Sequence, residues 1–402
     1  MKTTLIFLFS ALVLTNTRPV FGATKKKKSQ SKTSLITKST PVRQEMNTIS
    51  GIVRSLGIFI ASEQEFVRDS NKVTILKSLE ALSSLFKNLK SHPVIGMQGL
   101  SLNQGVMNEQ LEQTVALIKN DRKSMARAKF NAALNLCVSC HTQSPGTVNK
   151  ERAKLFADKD IQMLKINNFE KGELYFITRD FEKAVSLYDK YIRASKKTDD
   201  DEFIFKALER QLIYFIKIKK SFPEAKAHFE TYLKEKRLNS KISQEVGEWV
   251  KILSGKSLWE NFDPLKVKEE DMEKFMKTFI ADDEEGPIFT LTNSSEVYDL
   301  NLSSILMDYY NANPNTLHGA KILYWLATLD KRVNDDLFFS LGDYYLQACM
   351  ENYPKDPIAK DCYDSYLDDL EINYQGKDKD FPPEIKAKII KLQKLLDIKD
   401  EE

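Results

Sequence analysis

Two cysteines two residues apart, followed at once by a histidine, make up the segment Cys137-Val138-Ser139-Cys140-His141. This is the attachment signature for c-type haem. Each thiol can add across a haem vinyl group to give a thioether, and His141 then supplies the proximal imidazole to iron. On a helix, positions i and i+4 share a face, so Cys137 and His141 address the same side of a porphyrin. Two other chemistries use such residues. A thioredoxin-like dithiol wants a βαβ context, whereas the flanks here carry helical periodicity. Zinc needs four ligands. The other cysteines, Cys349 and Cys362, and the histidines His92, His228 and His318 are scattered and form no second paired cluster.

Compartment bears on this choice. Residues 1–23 have the form of a secretory signal peptide: Lys2 in a short positive region, an uncharged apolar run from Leu5 to Leu14, and small residues for cleavage after Gly22 or Ala23. The apolar run is short for a membrane span, and no other stretch is long and apolar enough. Export to the periplasm raises the weight on covalent haem, which cannot be lost outside the cell. Residues 24–40 read as a solvated Lys/Ser/Thr linker. Its run Lys25, Lys26, Lys27 and Lys28 could also touch anionic lipid headgroups, the less favoured alternative. The formal net charge of +3 over 402 residues excludes the strongly basic domain of an electrostatic nucleic-acid binder.

The elements that must position the motif lie at 41–147. Met46, Ile49, Val53, Leu56 and Ile60 recur at three and four, predicting a helix over about 42–62. Ile75, Leu79, Leu82, Phe86 and Leu89 predict a second over about 70–91. Pro93, Gly96 and Gly99 mark a loop. A third helix is expected over about 102–120, with Met107, Leu111, Thr114 and Ile118. The fourth, capped by Asp121, carries Phe130, Leu134, Cys137 and His141 and stops before Pro145-Gly146. Four helices with short connections suggest an up-down-up-down bundle. In that topology the start of helix one, the loop between helices two and three, and the end of helix four meet at one end. Haem on the fourth helix would then sit near Arg43, Met46 and the loop holding His92 and Met97.

With this signature near the end of the last helix, residues 41–147 resemble a class II c-type cytochrome, the cytochrome c-prime family. Low-spin members carry an Arg and, three residues later, a Met on the first helix, and Arg43-Gln44-Glu45-Met46 fits. The resemblance implies one covalent haem c, Met46 as distal iron ligand and Arg43 facing a propionate. His92, Met97 or a vacant distal face are the alternatives to Met46. A thioether ligand raises the potential and suits electron transfer; an open apolar face would bind small gases. The family ends soon after its motif, whereas this chain runs on to residue 402.

The remainder also reads as helical. Gly172, Tyr175, Asp180, Phe181, Ala184 and Tyr188 resemble a tetratricopeptide unit, and Phe222, Ala225 and Phe229 repeat its last part 41 residues on. Small residues there let two antiparallel helices approach while aromatics fill the gap. Departures at Tyr191 and Ile213 make the array degenerate. A tetratricopeptide-like region is thus expected at 148–280, an acidic linker or loop at 281–299 around Asp282-Asp283-Glu284-Glu285-Gly286-Pro287, and a further helical region at 300–395. Cys349 and Cys362 flank Tyr353-Pro354-Lys355-Asp356-Pro357 almost symmetrically. In a hairpin turning there they would face one another, and an oxidising compartment makes a disulfide the natural inference.

The expected fold is all-α: a haem c four-helix bundle followed by a helical-repeat domain. The expected function is periplasmic electron transfer, with the repeat region docking a redox or scaffold protein partner. A small-gas sensor and an assembly adaptor using haem as a folding cofactor are the rival readings. With no Ser-His-Asp set, phosphate-binding glycine loop or HExxH motif, the chain reads as a redox carrier rather than a catalyst.

Overall fold

The computed structural model describes residues 41–89, 98–142, 161, 165–196, 201–255, 262–279, 296–333, 341–374 and 381–398. The expected signal peptide, the Lys/Ser/Thr linker and most of the acidic stretch lie outside them. Among the described residues every regular element is helical and no strand occurs, so the all-α class holds. No described helix is long and apolar enough to cross a membrane.

The first segment is broken into α1 (Pro41–Ser55), α2 (Gly57–Ala61) and α3 (Glu63–Val67). One helix was expected over 42–62. The break inside that span falls at Leu56, between α1 and α2, while the expected end at Ser62 holds: its backbone is extended and its side chain caps α3 by accepting from the Glu65 amide. Then come α4 (Lys72–Leu89), α5 (Gln98–Lys119) and α6 (Lys123–Thr142). Helix α5 begins before Leu102, with Gly99 inside its first turn and not in the loop. Asp121 does not cap α6. It takes a left-handed backbone (φ 61°) in the α5–α6 turn, and its carboxylate pairs with Lys72 at 3.0 Å. The apolar stripes enter a common core: Ile49, Val53, Leu56, Ile75, Leu79, Leu82, Met107, Leu111, Phe130 and Leu134 are all buried. Helix α1 packs on α4, α4 on α5, α5 on α6, and α3 closes on α6.

Next in the chain come α7 (Asn168–Ile177) and α8 (Phe181–Ala194). Asn167 and Glu170 form a reciprocal capping box at the start of α7. The two helices approach closely because Gly172 faces Tyr188: a Cβ at Gly172 would stand 2.5 Å from Tyr188 Cε1. The following pair differs. Helix α9 (Asp201–Ile213) runs into a π-helical turn at Tyr214–Lys219, and α10 (Phe222–Glu235) packs on that turn and on α11 (Ser240–Ser254), with α9 not among its principal partners. Ile213 stands where the first pair has Gly172, and the link between α9 and α10 is made by longer side chains, Gln211 donating to the Tyr232 hydroxyl at 3.0 Å. Trp249 of α11, fully buried, fills the gap by packing on Phe205 and Phe229.

The chain continues as α12 (Glu269–Phe279), α13 (Glu296–Ala312), α14 (Gly319–Val333), α15 (Leu341–Asn352), α16 (Ile358–Tyr374) and α17 (Pro383–Leu396). A disulfide joins Cys349 and Cys362 across the α15–α16 turn. Helices α13 and α15 return to pack on α5, where Gln110 Nε2 donates to the Tyr344 hydroxyl at 3.2 Å. Helix α13 also packs on the π-helical turn, and α6 packs on α7. Residues from Thr40 to Glu402 therefore cluster as one compact unit.

Candidate haem-attachment site

The cysteine-histidine motif occupies the last turns of α6. Phe130, Ala133 and Leu134 of this helix are buried, and Cys137 continues their face, half-buried against the core. Helical spacing puts His141 one turn beyond Cys137 on the same face. The side chains of Cys140, His141 and Arg43 lie outside the described residues, as do His92 and Met97 altogether.

Chain direction decides which residues share the end of the molecule with this motif. Gln104 at the start of α5 donates through Nε2 to the Phe86 carbonyl near the end of α4. At the opposite end, Lys119 pairs with Glu80 at 2.8 Å. Arg127, in the second turn of α6, donates to the Ile60 carbonyl at 2.9 Å. The far end of the first segment is thus beside the start of α6, and the start of α1 lies toward its end. Met46, Gln104 and Cys137 accordingly fall toward one end of this helical group. Met46 is half-buried and packs against the core.

Two buried polar atoms on residues from this end have no partner: Glu45 Oε2 on α1 and Gln104 Oε1 on α5. A buried acceptor left bare costs about 1–3 kcal/mol. Two cysteines that can add to haem vinyl groups, with an imidazole and a thioether sulfur that can bind iron, are the residue types haem c requires, and Cys137, Cys140, His141 and Met46 supply them. The residues fit that group. Among the described residues no cluster of three or more His, Cys, Asp or Glu side chains is arranged to hold a bare metal ion.

The lone histidines are elsewhere. His228 Nε2 is 3.1 Å from Gln211 Oε1 and 3.5 Å from Asp189 Oδ1, with its ring against Phe215 and Tyr232. Burial lowers its pKa, against the pull of Asp189. His318 Nε2 lies 3.3 Å from the Glu269 carbonyl oxygen. Both hold helices together.

A second polar face of α6 escaped the sequence reading. Arg127, Asn131 and Asn135 recur every fourth residue, a pattern that also describes a solvated stripe. Here it faces α7 and α9. Arg210 donates to Asn135 Oδ1 at 2.7 Å and to Glu173 at 3.1 Å. Burial pushes the Glu173 carboxyl up, but the Arg210 guanidinium outweighs it and holds the group below its ordinary value.

Comparison with protein-family models, with curated proteins and with solved structures finds no match for this chain.

Proposed function

We propose that residues 41–147 form a four-helix haem c bundle, that the helices beyond form a degenerate repeat-like region, and that the protein is a periplasmic electron-transfer cytochrome. The observation that supports this reading is that Cys137-Val138-Ser139-Cys140-His141 falls on the last turns of α6, in a group of helices in which α1, carrying Met46, packs on α4. Cys137 and Cys140 would hold the porphyrin covalently, His141 would bind iron on one side and Met46 on the other, and Arg43 would face a propionate. Bound haem supplies one-electron chemistry at a potential that a His/Met pair keeps high. The protein's own contribution is a buried wall around the ring, which limits water at the iron and favours the reduced state. Helices α7 to α17 enlarge the surface on which a redox or scaffold partner would dock.

The test is spectroscopic. The full chain is exported with a haem-maturation system, and reduced and oxidised visible spectra are recorded with and without carbon monoxide, for wild type and Met46→Ala. A low-spin wild type indifferent to the gas, turning high-spin in the variant, supports electron transfer. A high-spin wild type that takes up gas replaces it with gas sensing, and no covalent haem overturns both.

A further inference from the structure

A cavity of about 370 Å³ lies at the joint of α2, α6, α7 and α9. It is within the size range of small-molecule sites. Its lining includes none of the motif's residues: on α6 it takes Arg127, Asn131 and Asn135, and Asn135 precedes Cys137 by two residues, about 3 Å along the helix axis.

We propose that this cavity binds a small amphipathic carboxylate. Its walls are largely apolar, formed by Ile60, Leu134, Phe169, Leu174, Ile177 and Phe203, with Ala128 and Ala132 leaving space where larger side chains would fill it. Its charged groups are not balanced among themselves. Glu173 is taken by Arg210, and Glu170 by the backbone amide of Asn167 at 2.8 Å. In the lining as a whole Arg127, Lys206 and Arg210 outnumber Glu170 and Glu173, so its sign is positive. Arg127 gives one nitrogen to the Ile60 carbonyl and another stands 3.9 Å from Glu63 at the surface, but its Nε is buried with no partner. One turn along, Asn131 Oδ1 is also buried with no partner, so these neighbours do not satisfy each other. A bare guanidinium donor beside a bare amide acceptor, against an apolar wall, is complementary to a carboxylate bearing a nearby hydroxyl and a hydrocarbon body. The carboxylate would accept from Arg127 Nε, with Lys206 adding charge at the rim, and the hydroxyl would donate to Asn131 Oδ1.

The experiment is calorimetric titration of the full chain with octanoate, 3-hydroxyoctanoate, octanol and octylamine. The two carboxylates should bind, the hydroxylated one more tightly, while the alcohol and amine bind at least tenfold more weakly. Arg127→Gln should weaken carboxylate binding tenfold or more. Because Arg127 also ties α6 to α2, Ala132→Leu serves as a second variant: it fills the cavity, removes no hydrogen bond, and should abolish binding in a protein whose melting remains cooperative. The proposal is overturned if neither carboxylate binds at about 1 mM, if octanol binds as well as octanoate, or if Ala132→Leu binds like wild type. None of these outcomes depends on haem.

Discussion

Arg210 of α9 reaches Glu173 of α7 at 3.1 Å and Asn135 of α6 at 2.7 Å, so one guanidinium ties three helices together just before the cysteine motif. Its side chain and that of Glu173 are only 13% and 22% exposed. Removing one partner would strand the other in a site poor in water. Arg210→Ala should therefore destabilise the protein by about 2–3 kcal/mol, and the double variant with Glu173→Gln by less than the sum. Denaturant unfolding of the four proteins in the cycle measures both.

Gly172 is required by the approach of Tyr188, whose hydroxyl donates to Glu173 at 2.5 Å and so cannot swing away. Gly172→Ala would force α7 and α8 apart and should cost about 1–3 kcal/mol, despite the better helix propensity of alanine. A rise in stability would show that the pair has slack that the buried ring does not suggest.

The Cys349–Cys362 bond closes a short loop, the two residues being 13 apart in sequence. Chain-entropy arguments assign such a cross-link about 3 kcal/mol. Cys349→Ala with Cys362→Ala should lower the unfolding midpoint accordingly. Tyr363 and Leu346, buried beside the bridge in the hairpin, should lose amide protection first.

Asp343 of α15 has burial and the neighbouring Asp369 carboxylate pushing its pKa up, to about 7, while Lys331 pairs with Asp369. A carboxyl whose folded pKa is raised binds a proton more readily when folded. Its contribution to stability is then fully present below the unfolded value of 3.8 and is lost as pH rises through about 7. Melting temperature should fall between pH 5.5 and 8 in wild type by about 2 °C or more. Asp343→Asn should flatten that slope, as scanning calorimetry at the two pH values would read.

Loss of either thiol tests the attachment chemistry directly. Cys137→Ser and Cys140→Ser should each leave a single thioether and shift the reduced haem band toward longer wavelength. His141→Ala should abolish the low-spin spectrum. Pyridine haemochrome spectra of the purified chains read the thioether count, and native visible spectra without pyridine read the spin state of His141→Ala.

Much of the helical architecture was legible because it rests on periodicity. The stripe from Met46 to Ile60 and that from Ile75 to Leu89 each specify one buried face, and both faces are buried. The close α7–α8 crossing was legible in Gly172 and Tyr188. What periodicity does not encode is which face of a polar stripe meets another helix. Arg127, Asn131 and Asn135 look like a wetted surface until α7 and α9 are placed against them. The return of α13 and α15 onto α5 was equally hidden, since contacts between distant segments leave no local mark. The break at Leu56 was missed because its backbone stays near the helical region and leaves the spacing of the stripe undisturbed. At the candidate site the motif was legible as residue types and spacing, whereas the unpartnered burial of Glu45 Oε2 and Gln104 Oε1 left no mark in the sequence.

The α15–α16 hairpin has a consequence for how the chain matures. Four cysteines can pair in three ways, and oxidising conditions offer all of them to an unfolded chain. Cys349 and Cys362 sit on adjacent helices joined by a short turn, so their sulfurs meet as soon as that hairpin forms, without waiting for any distant part of the chain. Early closure of this pair sorts the sulfur chemistry by location: the C-terminal cysteines are withdrawn from exchange, and Cys137 and Cys140 are left to each other or to a cofactor.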